Sequence, residues 1–296
     1  TELVERTRAF ILQFFHADPA EYTAIFTANA SGALKIVGES YPFDPDSRYL
    51  LTFDNHNSVN GIREFAHARG AQVTYIPIAL PDMRVDESQL ELELSRPSKN
   101  GHNLFAFPAQ SNFSGVQHPL EWVANARAHG WDVLLDAAAF VPSNPLDLSS
   151  VHPDFVPVSF YKMFGYPTGI GTLIARREAL RKLHRPWFAG GTITIASVQG
   201  DKYYLADGPA AFEDGTLDYL NIRNGAGELS TFLRGRSTCV FMGSGSSFSI
   251  SKSAAAGLRR YGNYKTMALS AGDFLVNTDE YIELFNDALV IIPSRS

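Results

Sequence analysis

FVPVSFYKMFGYPTGIGTL, residues 155–173, is the stretch from which the rest of the chain can be read. The apolar run Phe155 to Phe160 predicts a buried strand ending in Tyr161 and Lys162. A loop with Gly165, Pro167, Gly169 and Gly171 follows, and Thr172 to Ala175 predicts the returning strand. A lysine at the end of a buried strand, facing Gly-rich backbone, is a cation in an unusual place. Burial disfavours an ammonium, and a lysine that is neutral part of the time attacks carbonyls and forms Schiff bases. Taken alone, a strand-end lysine is ordinarily a side chain that lays its stem on apolar surface and reaches water. What stands at the other strand ends decides between the two.

Upstream, Leu3, Val4, Phe10, Ile11, Phe14 and Phe15 predict a helix over 2–15, broken by Asp18-Pro19. Tyr22 to Thr27 predicts a strand that runs into Ala28-Asn29-Ala30-Ser31-Gly32-Ala33, with a helix after it. Strand, small-residue turn and helix is one way to hold a phosphate, because free N–H groups and the positive end of the helix dipole face the anion. A plain helix start reads the same way locally. Further strands are predicted at Tyr49 to Phe53, Gln72 to Ile78, Asn103 to Phe107 and Trp131 to Leu135. Helices are predicted at Val59 to Arg69, Asp86 to Leu94 and Leu120 to His129. In the second of these the apolar positions 90, 92 and 94 leave the period ambiguous. Strands alternating with helices predict an α/β fold, a mostly parallel sheet with helices on both faces. In such sheets ligands bind at the C-terminal strand ends. Ser31, His56, Asn112, Asp136 and Lys162 each follow a predicted strand. One polar residue there is usually a turn residue; five of different chemistry point to a site.

Composition narrows the choice. Hydrophobic residues make up 45% and charged residues 19%, enough apolar side chain to fill a large core. Net charge is −6, which argues against nucleic acid as a main partner. No run approaches the ~18 apolar residues of a membrane span, and TELVERTRAF carries no signal-peptide core. One cysteine, Cys239, excludes an intramolecular disulfide and makes a cytoplasmic address the expectation. The eight histidines show no HxxxH or HExxH spacing, so no metal is expected.

Pyridoxal phosphate asks for a lysine for its aldehyde, an acid facing its pyridine nitrogen, a ring on its face and a phosphate cradle. Lys162, Asp136, His56 and Ser31 can supply these in turn. Ser159 and Tyr161, two apart on the predicted strand, point to one side and add hydroxyls.

The chain resembles the class V aminotransferase group of fold-type I pyridoxal-phosphate enzymes, which includes the cysteine desulfurases. Within it, the resemblance is nearest to the desulfurase domain of the molybdenum cofactor sulfurases. The motifs are FTANASGALKIVGESYPF (26–43), HNSVNGIR (56–63), FPAQSNFSG (107–115), LLDAAAFVPSNPLDLS (134–149), DFVPVSFYKMFGYPTGIGTLIAR (154–176), FAGGT (188–192) and FEDGT (212–216). They cover residues 1–222, the expected large cofactor-binding domain. Residues 223–296 form an expected small, divergent C-terminal region. The resemblance implies Lys162 as the Schiff-base lysine, Asp136 at the pyridine nitrogen and His56 stacked on the ring. It implies Ser31 and Gly32 in the first phosphate turn, with Ser159 and Tyr161 as later phosphate ligands. Asn112 is implied near the ring hydroxyl and the substrate carboxylate. Thr216 is implied to reach the phosphate of a neighbouring subunit, since the family builds its sites across a homodimer.

The chain also departs from the pattern. Desulfurases generally have His where Tyr161 stands, and often Gln where Ala139 stands. The family's small domain carries a mobile cysteine that takes sulfur as a persulfide and an arginine for the substrate carboxylate. Residues 223–296 do not align to it. Cys239, in STCVFMGSGS, reads more readily as a structural cysteine, and Arg234 and Arg236 are weak candidates for the clamp. The family's usual start and the sulfurases' cofactor-binding C-terminal domain are not read in these 296 residues, which leaves a fragment, a divergent gene product and a specialised relative open. The leading expectation is a desulfurase acting on L-cysteine. A lyase, aminotransferase or racemase on another amino acid, and a non-catalytic cofactor-binding scaffold, stay open.

Overall fold

The computed structural model describes residues 2–164, 168–222, 238–243, 252, 255, 265–270 and 288–291. The first helix, α1 (Glu2–Phe14), leads into β1 (Tyr22–Thr27) and α2 (Ala30–Ser40). Next come β2 (Arg48–Thr52), the short helices α3 (Asn57–Asn60) and α4 (Ile62–Ala68), and β3 (Gln72–Ile76). Two-residue strands β4 (Ile78–Ala79) and β5 (Arg84–Val85) pair antiparallel before α5 (Glu87–Leu94). Then follow β6 (Asn103–Pro108), α6 (Glu121–Ala128), β7 (Asp132–Asp136), β8 (Phe155–Ser159), α7 (Phe160–Phe164), β9 (Gly171–Arg176) and α8 (Arg177–Leu180).

Seven strands form one sheet in the order β1-β9-β8-β7-β6-β2-β3. β9 runs antiparallel to both neighbours and the remaining pairs are parallel, so the returning strand read from Thr172 to Ala175 is the one reversed strand. Alternate residues of each strand feed two separate cores. Leu50, Phe105, Phe107, Val133, Leu135, Val156 and Val158 pack with apolar residues of α1, α5 and α6. Leu51, Leu104, Ala106, Leu134, Phe155 and Leu173 pack with α2, α4 and α8. Period-2 burial on both faces is what a sheet between two helical layers requires.

Several boundaries differ from the sequence reading. The strand opening at Gln72 stops at Ile76 because Pro77 has no N–H to continue the ladder. The helix expected over 59–69 is split at Gly61, a residue that weakens helix interiors. In α5 the ambiguity at 90, 92 and 94 resolves as helix: Leu90 and Leu94 are buried, four apart, and Leu92 is exposed. The central strand ends at Ser159 rather than Phe160, and Tyr161 and Lys162 sit on the helical turn α7. The two-residue argument that put Ser159 and Tyr161 on one side of a strand therefore does not apply. Aromatic residues are compatible with strand and helix alike, so this run gave no local sign of the switch.

Beyond β9, β10 (Ile193–Ala196) and β11 (Tyr203–Leu205) form an antiparallel hairpin, and a 3₁₀ turn (Gly208–Phe212) and α9 (Tyr219–Ile222) follow. The described C-terminal residues form a parallel three-stranded sheet with β12 (Thr238–Gly243) between β13 (Lys265–Ser270) and β14 (Ala288–Ile291). Ala288 opens β14. Arg234, Arg236, Gly165 and Pro167 lie outside the described residues. Among the described residues no helix is long and apolar enough to cross a membrane, and no group of His, Cys, Asp and Glu can hold a metal ion.

Candidate functional site

A cavity of about 340 Å³ opens at the C-terminal ends of the parallel strands. Ser31, His56, Asn112, Asp136, Ser159, Tyr161 and Lys162 all line it, brought from five different segments of the chain. Gly32 and Thr216 do not. They line an adjoining cavity of about 380 Å³ that shares Ala28 and Gly169 with the first.

One wall is the start of α2. Asn29 is the N-cap, and its side chain accepts the Gly32 N–H at 2.9 Å. Gly32 was expected to offer that N–H to a phosphate; here the cap has taken it. The Ala30 N–H donates to Ser159 Oγ at 3.1 Å. The first N–H groups of a helix have no partner within it, and the Ser31 N–H, which has no hydrogen-bond partner among the described residues, is left for an anion. Ser31 Oγ meets Ser58 Oγ at 2.7 Å, which aligns a second hydroxyl beside the turn. The turn lies so close to β9 that a Cβ on Gly171 would meet Asn29 C and Val158 O at 2.7 Å. Asn29 was read only as part of the turn, although an Asn just before an apolar helical run is an N-cap signature.

Asp136 ends β7 inside the cavity and is almost fully buried. Burial pushes its carboxyl above the ordinary value; the Ala138 N–H, at 3.0 Å from Oδ1, and the positive charges of Lys162 and His56 oppose the rise. Its Oδ2 has no hydrogen-bond partner among the described residues. Lys162 is half-buried, so its amine opens on the cavity instead of lying in the core as the strand reading implied. His56 caps α3, with Nδ1 accepting the Ser58 N–H at 3.1 Å. In the neutral ring this bond leaves the proton on Nε2.

These groups fit pyridoxal phosphate. A buried carboxylate with a free oxygen suits a protonated ring nitrogen, since a cation opposite it offsets the cost of burying its charge. The α2 turn, with the Ser31 N–H and the hydroxyls of Ser31, Ser159 and Tyr161, suits a phosphate. Gln110, which also lines the cavity, was missed; its Oε1 accepts from Gln117 and Asn144 at 3.2 and 3.3 Å, which fixes the loop carrying Asn112. A larger cavity of about 740 Å³, lined by Arg127, His152 and Arg176 among others, shares no lining residue with the first. There Arg176 pairs with Glu21 at 2.7 Å and Arg127 donates to the His152 carbonyl at 2.6 Å.

The aminotransferase class-V family model matches residues 1–228. Molybdenum cofactor sulfurase from Bos taurus is 40% identical over 238 residues, covering 75% of this chain and 27% of the bovine protein. The Solanum lycopersicum protein of the same name is 38% identical over 253 residues, covering 75% and 31%. This chain therefore spans about a third or less of the length of these relatives. Among solved structures, the apo cysteine desulfurase from Thermococcus onnurineus NA1 superposes with a TM-score of 0.67 at 27% identity, covering 79% of this chain and 57% of that one.

Proposed function

We propose that this chain, which belongs to the aminotransferase class-V family, binds pyridoxal 5'-phosphate between Asp136 and Lys162 and removes sulfur from L-cysteine. The observation that carries the reading is a buried acid and a half-buried amine that line one cavity together with a capped helix N-terminus. The bound cofactor supplies an electron sink for a carbanion at the substrate α-carbon. Asp136 holds a proton at the pyridine nitrogen. His56 would stack on the ring face and could move protons there. The Ser31 N–H and the hydroxyls of Ser31, Ser159 and Tyr161 hold the phosphate, with Gly32 shaping the turn. Lys162 Nζ would hold the aldehyde carbon and would serve as the base for the substrate α-proton. Asn112 orients the substrate carboxylate. In the net reaction the Cβ–Sγ bond of cysteine breaks, Cβ takes a proton to give alanine, and the sulfur passes to a thiol as a persulfide. By the sulfurase resemblance its onward acceptor is molybdenum cofactor.

The same reading makes the protein a cytoplasmic homodimer in which the exposed Thr216 reaches the partner's phosphate. Residues 1–222 then form the large domain and 223–296 the small one. Cys239 bears on the choice of reaction. Its backbone lies in β12, the middle strand, paired with Thr266 and Leu289. A strand paired on both sides lacks the reach of a mobile loop. This favours, as a second reading, a lyase, aminotransferase or racemase on an amino acid that uses the same cofactor without Cys239.

Absorbance of the purified protein with added pyridoxal phosphate, then with L-cysteine while alanine is assayed, tests the reading. Visible absorbance lost in Lys162→Ala, and alanine formed by wild type alone, support it. An absorbance that ignores Lys162→Ala removes Lys162 from the role. Alanine release unchanged in Cys239→Ser separates the carrier from Cys239.

A further inference from the structure

Two loops bring His56 and Asn112 to the site, and these two residues also line a second open cavity beside it, of about 660 Å³. The loops follow β2 and β6, and both are fastened to Asp54. The Asp54 carbonyl accepts from Ser111 Oγ at 3.1 Å, next to Asn112. The Asp54 carboxylate meets His118 Nε2 at 2.9 Å, at the far end of the same loop. Both side chains are out of solvent, Asp54 at 0% and His118 at 2% exposure. The His118 ring stacks on Trp122 at 5.1 Å, and the His118 backbone N–H donates to the Ala109 carbonyl at 3.0 Å. Asn55 Nδ2 donates to the carbonyls of Thr52 at 2.9 Å and Ala106 at 3.1 Å, tying the first loop to β6.

A buried carboxylate–imidazole pair is seldom more stabilising than apolar side chains of equal volume. Its place directly under two site residues therefore calls for a role in the site. We infer that Asp54 and His118 are positioning residues that hold His56 on the cofactor ring and Asn112 toward the substrate; neither lines the cofactor cavity itself. Burial by itself would raise the Asp54 carboxyl. Its hydrogen bond to His118 and the charge there, with the Thr52 hydroxyl, more than offset this and hold it below the ordinary range, so it acts as an acceptor.

The inference rests on the pyridoxal-phosphate reading, and one set of measurements separates them. Wild type, Asp54→Asn, His118→Leu, His118→Gln and Trp131→Phe are compared. The last removes a buried bond from Trp131 Nε1 to the Leu94 carbonyl, 2.8 Å, before the start of β7. Readouts are the melting temperature of the cofactor-free protein, pyridoxal-phosphate affinity by titration, and the circular dichroism of the bound cofactor. Asp54→Asn and His118→Leu are expected to weaken binding about 10-fold or more and to reduce the dichroic band. His118→Gln, which keeps a donor toward Asp54, is expected to recover most of both. Trp131→Phe is expected to lower the melting temperature and leave affinity and dichroism unchanged. Unaltered affinity and dichroism in folded Asp54→Asn and His118→Leu overturn the inference, as does a Gln variant no better than Leu. Wild type that binds no pyridoxal phosphate overturns the reading beneath it as well. If His118→Leu does not fold, Ser111→Ala, which removes only the hydroxyl link, decides: a dichroic band equal to wild type overturns the inference.

Discussion

Gly171→Ala is the most direct test of how the α2 turn is held. Gly171 pairs with Thr27 on one side and Ser159 on the other, in the row of strand ends that frames the cavity. Its φ is not in the left-handed region; what demands glycine is space. An added Cβ would lie 2.7 Å from Asn29 C and Val158 O and 2.8 Å from Asn29 Cα, all of them backbone atoms. Ordinary contact begins at 3.4 Å, so a neighbour must retreat by roughly 0.7 Å. β8 lies between β7 and β9 and cannot give, so the Asn29 turn moves. Forcing a methyl into such a place costs about 1–3 kcal/mol. Loosening the Asn29 cap adds about 1 kcal/mol. At about 2–4 °C per kcal/mol, melting should fall by roughly 5–15 °C. Because the displaced turn carries the Ser31 N–H, pyridoxal-phosphate affinity should fall by at least about tenfold. Gly130→Ala is the control. It has φ +84° and nothing within 4 Å of the added Cβ, so it should cost only the ~1–2 kcal/mol of backbone strain and leave affinity alone. The measurements are thermal melting by circular dichroism and cofactor titration of both variants. A Gly171→Ala protein that melts within about 2 °C of wild type refutes the packing argument. One that is destabilised yet binds the cofactor normally refutes the turn's role as phosphate cradle.

Asp136→Asn keeps shape and removes the charge that holds the ring proton; turnover of L-cysteine to alanine should drop on the order of 100-fold or more, and a drop under threefold or so would take Asp136 away from the pyridine nitrogen. Arg8 and Glu213 form a buried pair at 2.9 Å, and Glu213 Oε1 also accepts the Phe26 N–H at 2.9 Å, so α1, β1 and the FEDGT turn share one anchor. Arg8→Met strands Glu213 in the interior and should cost about 3–5 kcal/mol in urea unfolding; a loss near zero would mean that Glu213 finds water or another donor. The Asp147 carboxyl is held down at about 2 by the Ser149 hydroxyl, His16 and the Ser149 N–H. A depressed carboxyl stabilises the fold above its unfolded value, near 4, and that contribution disappears as pH falls towards the folded value. Unfolding of Asp147→Asn should therefore show less acid dependence than wild type between about pH 4 and pH 2, and identical curves would contradict the assignment.

Much of the fold of residues 1–222 was legible because local periodicity encodes it. The strands at Tyr22, Tyr49, Asn103 and Trp131 are apolar runs bounded by turn residues, and β1, β2, β6 and β7 lie within a residue of where the pattern put them. The general rule that α/β sheets bind ligands at their C-terminal strand ends then led to Ser31, His56, Asn112, Asp136 and Lys162, and all five line one cavity. The same reading misjudged Lys162, because a helical turn and a strand end look alike in five mostly apolar residues. It also credited Gly32 with an N–H that the Asn29 side chain holds.

The side-chain types available to the chemistry, and the alternation of strand and helix that delivers them, are written along the chain, where neighbours within a turn or a pleat decide them. Which segments meet is not. Asp54 finds His118 64 residues away, Arg8 finds Glu213 205 residues away, and β9 enters the sheet reversed between β1 and β8. Such meetings follow from strand order and from the packing of two helical layers on one sheet. They are settled by the energy of the whole folded chain, which no short window of sequence contains.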